Sequence, residues 1–316
     1  MDLVQLRYFA QVAQLKSFTK ASEALHITQP ALTRQVLLLE EELGVQLLFR
    51  HSRGAEPTEA GVKLLAGAES IFRVVRDVTV EVAESSGRVA GTLRIGFPPS
   101  LGGFVIGMAV DAFQRKYPEV TFELREGLSN ELRDHLLADR LDLAVLMIEA
   151  DPPLVSVPLC AEELWVLQPP SGRILNSPRT YTLKMLAKQP LIQPGRTQLV
   201  RQYIESVALG QGISLHIVAE ADALQVTKDL VRRGVGVHIS PYSGIAADIK
   251  RGDFSGGPVQ GLVISRYLVR RMDRPITLGI AKFQEAMLET IQALHKSDHA
   301  IRPVTTTERK KKGRSN

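Results

Sequence analysis

The chain is 316 residues long and 44% hydrophobic, with the apolar residues dispersed, a size and composition that fit two or three globular units and exclude a disordered polymer. It has no apolar run of about 18 residues, which excludes a membrane-spanning helix, and its opening residues, Met1 to Phe9, lack the basic stretch and apolar core of a secretory signal, so the expected location is cytoplasmic. The formal charge of +5 is no argument for a nucleic-acid partner, because the segment from Lys296 onward carries seven Lys/Arg and two Asp/Glu, leaving 32 of each sign elsewhere.

The first element is an amphipathic helix over about residues 2 to 14, read from Leu6, Phe9, Ala10 and Ala13. Ser17 caps a second helix, Thr19 to Leu25, in which Ala21 and Ala24 allow close approach of a neighbour. After the connector His26-Ile27, Thr28 caps a third helix, with Pro30 tolerated in its first turn. Leu32, Val36, Leu39 and Leu43 give that helix one buried face, so Pro30 and Arg34 point outward, flanked by Ala31 and Thr33, with Gln29 at the exposed tip. Two short helices joined by a tight turn form a helix-turn-helix, whose second helix can present Gln and Arg to base edges and Thr to phosphates or a thymine methyl. For Gln29-Pro30-Ala31-Leu32-Thr33-Arg34-Gln35 alone, a solvated polar face is the competing reading.

The whole block decides between them. Ser17-Phe18-Thr19-Lys20-Ala21-Ser22, Leu25 to Gln35, Leu39-Glu40, Leu43-Gly44 and Leu47-Leu48-Phe49-Arg50 together resemble the LysR family signature. Arg50-His51-Ser52-Arg53-Gly54 followed by Pro57-Thr58-Glu59-Ala60-Gly61 resembles that family's wing and the start of its linker helix. The resemblance implies a winged helix-turn-helix over residues 1–58, with Gln29, Pro30, Ala31, Thr33 and Arg34 at the major groove and Arg53 in the wing at backbone or minor groove of promoter DNA. Leu37 and Leu38 face outward but cannot bond a base, so they are expected to pack on a neighbouring helix or partner subunit. Glu40, Glu41 and Glu42 would repel phosphate and belong away from DNA.

Thr58 then caps a long helix, with Gly61 rather than Glu three residues on, running to about Ser85 within a linker segment of residues 59–87. Leu64, Ala68, Ile71, Val75, Val78 and Val82 alternate by four and three, and Leu65 and Phe72 widen the stripe. Such a stripe calls for a second copy of the chain, packing on the chain's own C-terminal part being the other reading. A homodimer suits a two-fold operator, and the resemblance implies dimers assembled into a homotetramer.

The polar hinge Ser85 to Gly91 opens a unit over residues 88–298. Strands are expected at Thr92–Phe97, Val120–Arg125, Leu141–Met147, Leu164–Gln168, Leu191–Gln193, Leu215–Ala219, Val235–Ser240 and Leu262–Leu268. Helices are expected at Leu101–Tyr117, Asn130–Asp139, Gln198–Ala208, Leu224–Arg232 and Ile276–Leu294. The alternation is α/β with a parallel sheet and a second α/β lobe. The strand Leu141 to Val145, the turn Gly234 to Val237 and the strand end Gly96-Phe97 resemble the LysR co-inducer domain, which implies the two-lobed periplasmic-binding-protein fold and a small-molecule effector. Ligands of such sheets lie beyond the carboxyl ends of strands, near helix N-termini that favour anions. Pro99, Ser100 and Leu101, then Ser129, then Arg196 and Thr197 occupy such positions. Each hydroxyl has helix capping as its alternative role. Arg196 suits a carboxylate or an exposed surface equally, and His238 reads as a structural histidine on an interior strand.

An enzyme and an exported transport-type binding protein are the rival classes. No H-E-x-x-H, P-loop, G-x-G-x-x-G or G-x-S-x-G occurs, the histidines lack metal-ligand spacing, and no cofactor motif is present. The single cysteine, Cys160, reads as a buried strand residue and excludes an internal disulfide. An exported protein would need a leader and would have no use for residues 1–60. Residues 299–316 are expected to form a basic, disordered tail.

Overall fold

The computed structural model describes residues 1–51, 54–85, 87–170 and 179–304. The chain divides into two compact units, Met1–Ser86 and Gly87–Asn316.

In the first unit, α1 (Leu3–Leu15) starts at Asp2, whose carboxylate accepts from the Gln5 amide at 2.8 Å. The next helix, α2 (Phe18–Leu25), starts at Ser17, whose hydroxyl accepts from the Lys20 amide at 3.3 Å. His26 in the left-handed region, at φ 53, turns the chain toward α3 (Gln29–Leu43). Thr28 holds the N-cap position of α3 but makes no side-chain cap bond there. A hairpin of β1 (Leu48–His51) and β2 (Gly54–Pro57) leads into α4 (Glu59–Glu84). Phe9, Val12, Ala13, Ala21, Leu32, Val36, Leu39, Leu47, Leu48 and Ala55 form the core, each large side chain contributing about 1.5–3 kcal/mol by leaving water. Leu43, expected on the buried face, is exposed in the last turn of α3, where Gly44 at φ 65 ends the helix. Ala24 is also exposed.

Thr58 anchors α4 as expected: its hydroxyl accepts from Gly61 N at 3.0 Å and donates to the Gln46 carbonyl at 2.7 Å. Position 61 has to be glycine, because a Cβ there would lie 2.1 Å from the Leu47 carbonyl oxygen. Along α4 the apolar stripe divides. Leu64 and Leu65 pack against the core of this unit and Ala68 is buried, whereas Ile71, Val74, Val75, Val78 and Val82 are exposed.

The second unit is built on a sheet ordered β11-β6-β10-β5-β3-β4, with β9 added to β6. Its strands are β3 (Gly91–Phe97), β4 (Val120–Glu126), β5 (Leu143–Leu146), β6 (Leu154–Gln168), β9 (His238–Pro241), β10 (Ser255–Arg271) and β11 (Ile301–Pro303). A second, parallel pair joins β7 (Leu191–Gln193) to β8 (Ile217–Glu220). Helices α5 (Gly107–Lys116), α6 (Ser129–Leu137), α7 (Leu183–Leu186), α8 (Leu199–Gly210), α9 (Leu224–Arg232), α10 (Ala246–Arg251) and α11 (Leu278–Ser297) cover the sheets. The expected parallel pairing holds for β3 with β4 and β5. The long strands β6 and β10 are instead antiparallel to each other, and β10 is antiparallel to β5.

One core packs β3 and β4 against α5 and α11, with Phe113 and Phe283 edge to face at 5.5 Å. A second core gathers Leu164, Val166, Leu186, Leu191, Ile204 and Ile239, so the two expected lobes each have their own apolar centre. Cys160 is buried, as expected, and burial pushes its thiol pKa far up. The helix expected at Leu101–Tyr117 is interrupted: a 3-10 turn over Pro99–Leu101 and a π turn over Gly102–Ile106 precede α5. The expected tail is shorter than residues 299–316, because Ile301–Pro303 pairs with Cys160–Glu162 of β6. The basic run at 309–314 lies outside the described residues. No described helix is long and apolar enough to cross a membrane.

Candidate functional site

The first site is the outer face of α3. Gln29, Pro30, Thr33, Arg34 and Leu37 line one shallow groove, spaced by three and four residues as one helical face requires. Gln29, Pro30, Ala31 and Arg34 are exposed and Thr33 is half-buried. Leu37, expected to pack on a neighbouring helix or partner subunit, shares this groove and has no covering helix among the described residues of its unit, and Leu38 is 40% exposed beside it. Gln29 is held at the tip by the Thr19 hydroxyl, which donates to its Oε1 at 3.2 Å. Arg53 lies outside the described residues.

Glu40 proves to be a wing clamp, a role its charge concealed. Its Oε1 accepts from the amides of Leu47 and Leu48 at 2.8 and 3.1 Å, and Oε2 lies 3.6 Å from Arg50 Nη2. Arg50 in turn stacks over the Phe18 ring at 4.8 Å. The carboxylate thus fastens the wing to the helix that presents the groove.

The second site is a cavity of about 150 Å³ inside the second unit. It is reached by the loop after β3 at Pro99 and Ser100, by the N-termini of α6, α8 and α9, by β9, and by Arg266 of β10. Of the expected ligand residues, Pro99, Ser100, Ser129 and Thr197 line it together. Leu101 does not, because it is fully buried in the apolar core below the loop. Arg196 does not either: its side chain is 82% exposed and reaches toward Glu220 at 4.0 Å. Capping, the alternative role of the hydroxyls, is not what they do. Ser129 is the first residue of α6, the N-cap residues of α6 and α8 are Leu128 and Gln198, and Ser100 Oγ accepts from Arg266 Nη2 at 2.8 Å.

Behind that wall lies an ion pair buried on both sides. Arg266 is 3% and Glu162 0% exposed, joined through Nε to Oε2 at 3.1 Å. Glu162 Oε1 also accepts from the Ser243 amide at 2.6 Å. A charge buried in this way is tolerable only when paired and hydrogen-bonded. Sequence reasoning missed both residues. The available signal was charge inside strand-length runs, Arg266 between Ile264 and Leu268 and Glu162 between Cys160 and Leu164. His238 also lines the cavity. Its Nδ1 donates to the Ile192 carbonyl at 2.8 Å, and burial foremost, with Lys228 nearby, pushes its pKa down to about 4. Asp222 accepts from Gly195 N and Gln198 Nε2 at 2.9 and 3.1 Å, tying the α8 loop to the α9 loop. No metal-binding cluster of His, Cys, Asp or Glu occurs among the described residues.

A winged helix-turn-helix joined in one chain to a two-lobed α/β unit that holds an open cavity defines a DNA-binding protein with a ligand-binding type of domain. Residues 3–62 match the family described as "Bacterial regulatory helix-turn-helix protein, lysR family", and residues 86–292 match "LysR substrate binding domain". The chain belongs to the LysR family: it is a DNA-binding transcriptional regulator with an effector-binding domain, and not an enzyme. It is 28% identical over 300 residues to the "HTH-type transcriptional regulator BbuR" of Bordetella bronchiseptica, covering 93% of this chain and 91% of that one. It is 32% identical over 246 residues to the "Nitrogen assimilation regulatory protein nac" of Klebsiella aerogenes, covering 77% of this chain and 79% of the relative. Among solved structures, full-length CbnR in complex with its target DNA superposes at a TM-score of 0.71 with 23% identity, over 92% of this chain and 100% of that one. HinK from Pseudomonas aeruginosa gives 0.55 with 23% identity, over 91% and 97%.

Proposed function

We propose that the protein binds promoter DNA in the cytoplasm as a homodimer assembled into a homotetramer, and that a small effector carrying an anionic group sets its affinity for the operator. Gln29, Pro30, Ala31, Thr33 and Arg34 read the major groove, with Arg53 reaching the DNA from the wing. The observation that carries the DNA reading is the exposed face of α3, which places Gln29, Thr33 and Arg34 in one groove at the start of the helix. Supporting it, CbnR, whose fold this chain shares, is described in complex with target DNA. The exposed valines and isoleucine of α4 support self-association.

For the effector, three helix N-termini from α6, α8 and α9 border one cavity together with Ser100, Ser129 and Thr197. Their first-turn N–H groups lack intrahelical partners and favour negative charge. A bound ligand shifts operator affinity only by its differential affinity for the arrangements of the protein.

The test is operator binding by gel shift and anisotropy. Arg34→Ala and Thr33→Ala should each weaken specific binding by about 1–3 kcal/mol and leave non-specific binding and oligomeric state unchanged. Unchanged operator affinity for both variants refutes the groove assignment.

A further inference from the structure

His238 carries the observation. The Ile192 carbonyl can only accept, so the 2.8 Å contact makes Nδ1 the protonated ring nitrogen. The ring is neutral because burial holds its pKa near 4. Nε2 is therefore a bare lone pair. It has no protein partner among the described residues, on a side chain that is 6% exposed and lines the cavity. An acceptor in such a wall is satisfied only by a donor that enters the cavity.

Two carboxylates, on the exposed residues Asp222 and Glu131, add negative charge to the same wall. Asp222 spends Oδ1 on Gly195 and Gln198, and Glu131 spends Oε2 on the Leu128 amide at 3.1 Å. Their second oxygens have no protein partner among the described residues. The one guanidinium of the wall, Arg266, is already committed to Glu162 and Ser100. Lys228, which also faces His238 electrostatically, is paired with Asp248 at 2.7 Å. A ligand that is anionic throughout would face two carboxylates and leave Nε2 empty. An ammonium brings N–H donors for His238 Nε2 and a positive charge that the two carboxylates favour. A hydroxyl brings one donor and no charge.

We propose that the ligand is an amino acid or a close analogue, its carboxylate at the helix N-termini and its ammonium against His238, with His238 Nε2 the acceptor that selects for the amine. This rests on the cavity being the effector site and specifies what that site accepts.

The experiment is calorimetric titration of the full-length protein with the proteinogenic L-amino acids, with the matched carboxylic acids lacking the amine, and with the matched α-hydroxy acids. Operator affinity is read in parallel. At least one amino acid should bind and alter operator affinity, with its amine-free and hydroxy counterparts about 10- to 100-fold weaker, the usual worth of a hydrogen bond to a charged group. His238→Asn keeps an N–H for the Ile192 carbonyl and deletes Nε2, and it should lose amino-acid affinity by a similar factor. His238→Gln, which offers an amide oxygen near the place of Nε2, should recover part of it. If the amine-free acids bind as well as the amino acids, or bind while no amino acid does, or if His238→Asn binds amino acids like the wild type, the amine assignment is wrong while the effector cavity stands. If no compound of the three sets binds or shifts operator affinity, both are wrong. The comparison of matched ligands on the wild-type protein decides the matter even where a variant does not fold.

Discussion

A single carboxylate shows how the residue scale governs the DNA-reading unit. Glu40 satisfies the amides of Leu47 and Leu48, residues 1% and 0% exposed, and also faces Arg50. The ion pair counts for little, since Arg50 is 36% exposed and such pairs contribute at most about 1 kcal/mol. Leaving a buried amide without a partner costs about 1–3 kcal/mol. Glu40→Ala should therefore destabilise the winged unit by about 2–4 kcal/mol, whereas Glu40→Gln, which keeps an oxygen for the amides, should lose about 1 kcal/mol. Chemical denaturation of both variants measures the difference, and equal losses would mean that charge, not amide satisfaction, holds the wing. From sequence, Glu40 was expected to lie away from DNA because of charge repulsion alone. Its real partners come from a hairpin seven and eight residues further on, which periodicity does not reveal.

Elements were legible where an apolar face repeats and illegible where a strand carries its own polar chemistry. The helices α1, α2, α3, α8, α9 and α11 lie close to where spacing put them. Most of β6 was not visible, because Ser156, Pro158, Glu162 and Glu163 interrupt its apolar pattern, and only Leu164–Gln168 read as extended. One of those interruptions is Glu162, which anchors Arg266 beside the cavity. Likewise Ser100, Ser129 and Thr197 were legible as loop hydroxyls at strand ends, while Arg266, Asp222 and Glu131 reach the cavity from segments that carry no motif. For α4 the sequence stripe was continuous, but the structure uses its N-terminal part internally and leaves Ile71, Val75, Val78 and Val82 at 39 to 67% exposure. Ile71→Asp with Val75→Asp adds no charge to the core of the unit, so the variant should fold, yet it places carboxylates in any seam between two copies. Sedimentation should show a smaller species than wild type with unchanged helix content. An unaltered sedimentation coefficient places the dimer contact elsewhere.

At the scale of the whole molecule, charge separates attraction to DNA from recognition of it. The +5 resides in the segment from Lys296 onward, and Arg309, Lys310, Lys311, Lys312 and Arg314 supply most of its positive charge. The groups proposed to read bases sit some 275 residues away in sequence, on α3. Each phosphate neutralised by such lysines and arginines adds about 0.9 to the slope of log affinity against log salt, for any DNA sequence alike. The cut that tests this must fall after Val304, since Ile301–Pro303 is a strand paired with Cys160–Glu162, and removing it would bare the edge of β6 beside the buried Glu162. Deleting residues 305–316 should lower affinity for operator and random DNA by the same factor and reduce the salt slope for both. The ratio of operator to random binding, read by competition at several salt concentrations, should stay constant, because Gln29, Thr33 and Arg34 are untouched. A fall in that ratio would show that the tail takes part in reading sequence.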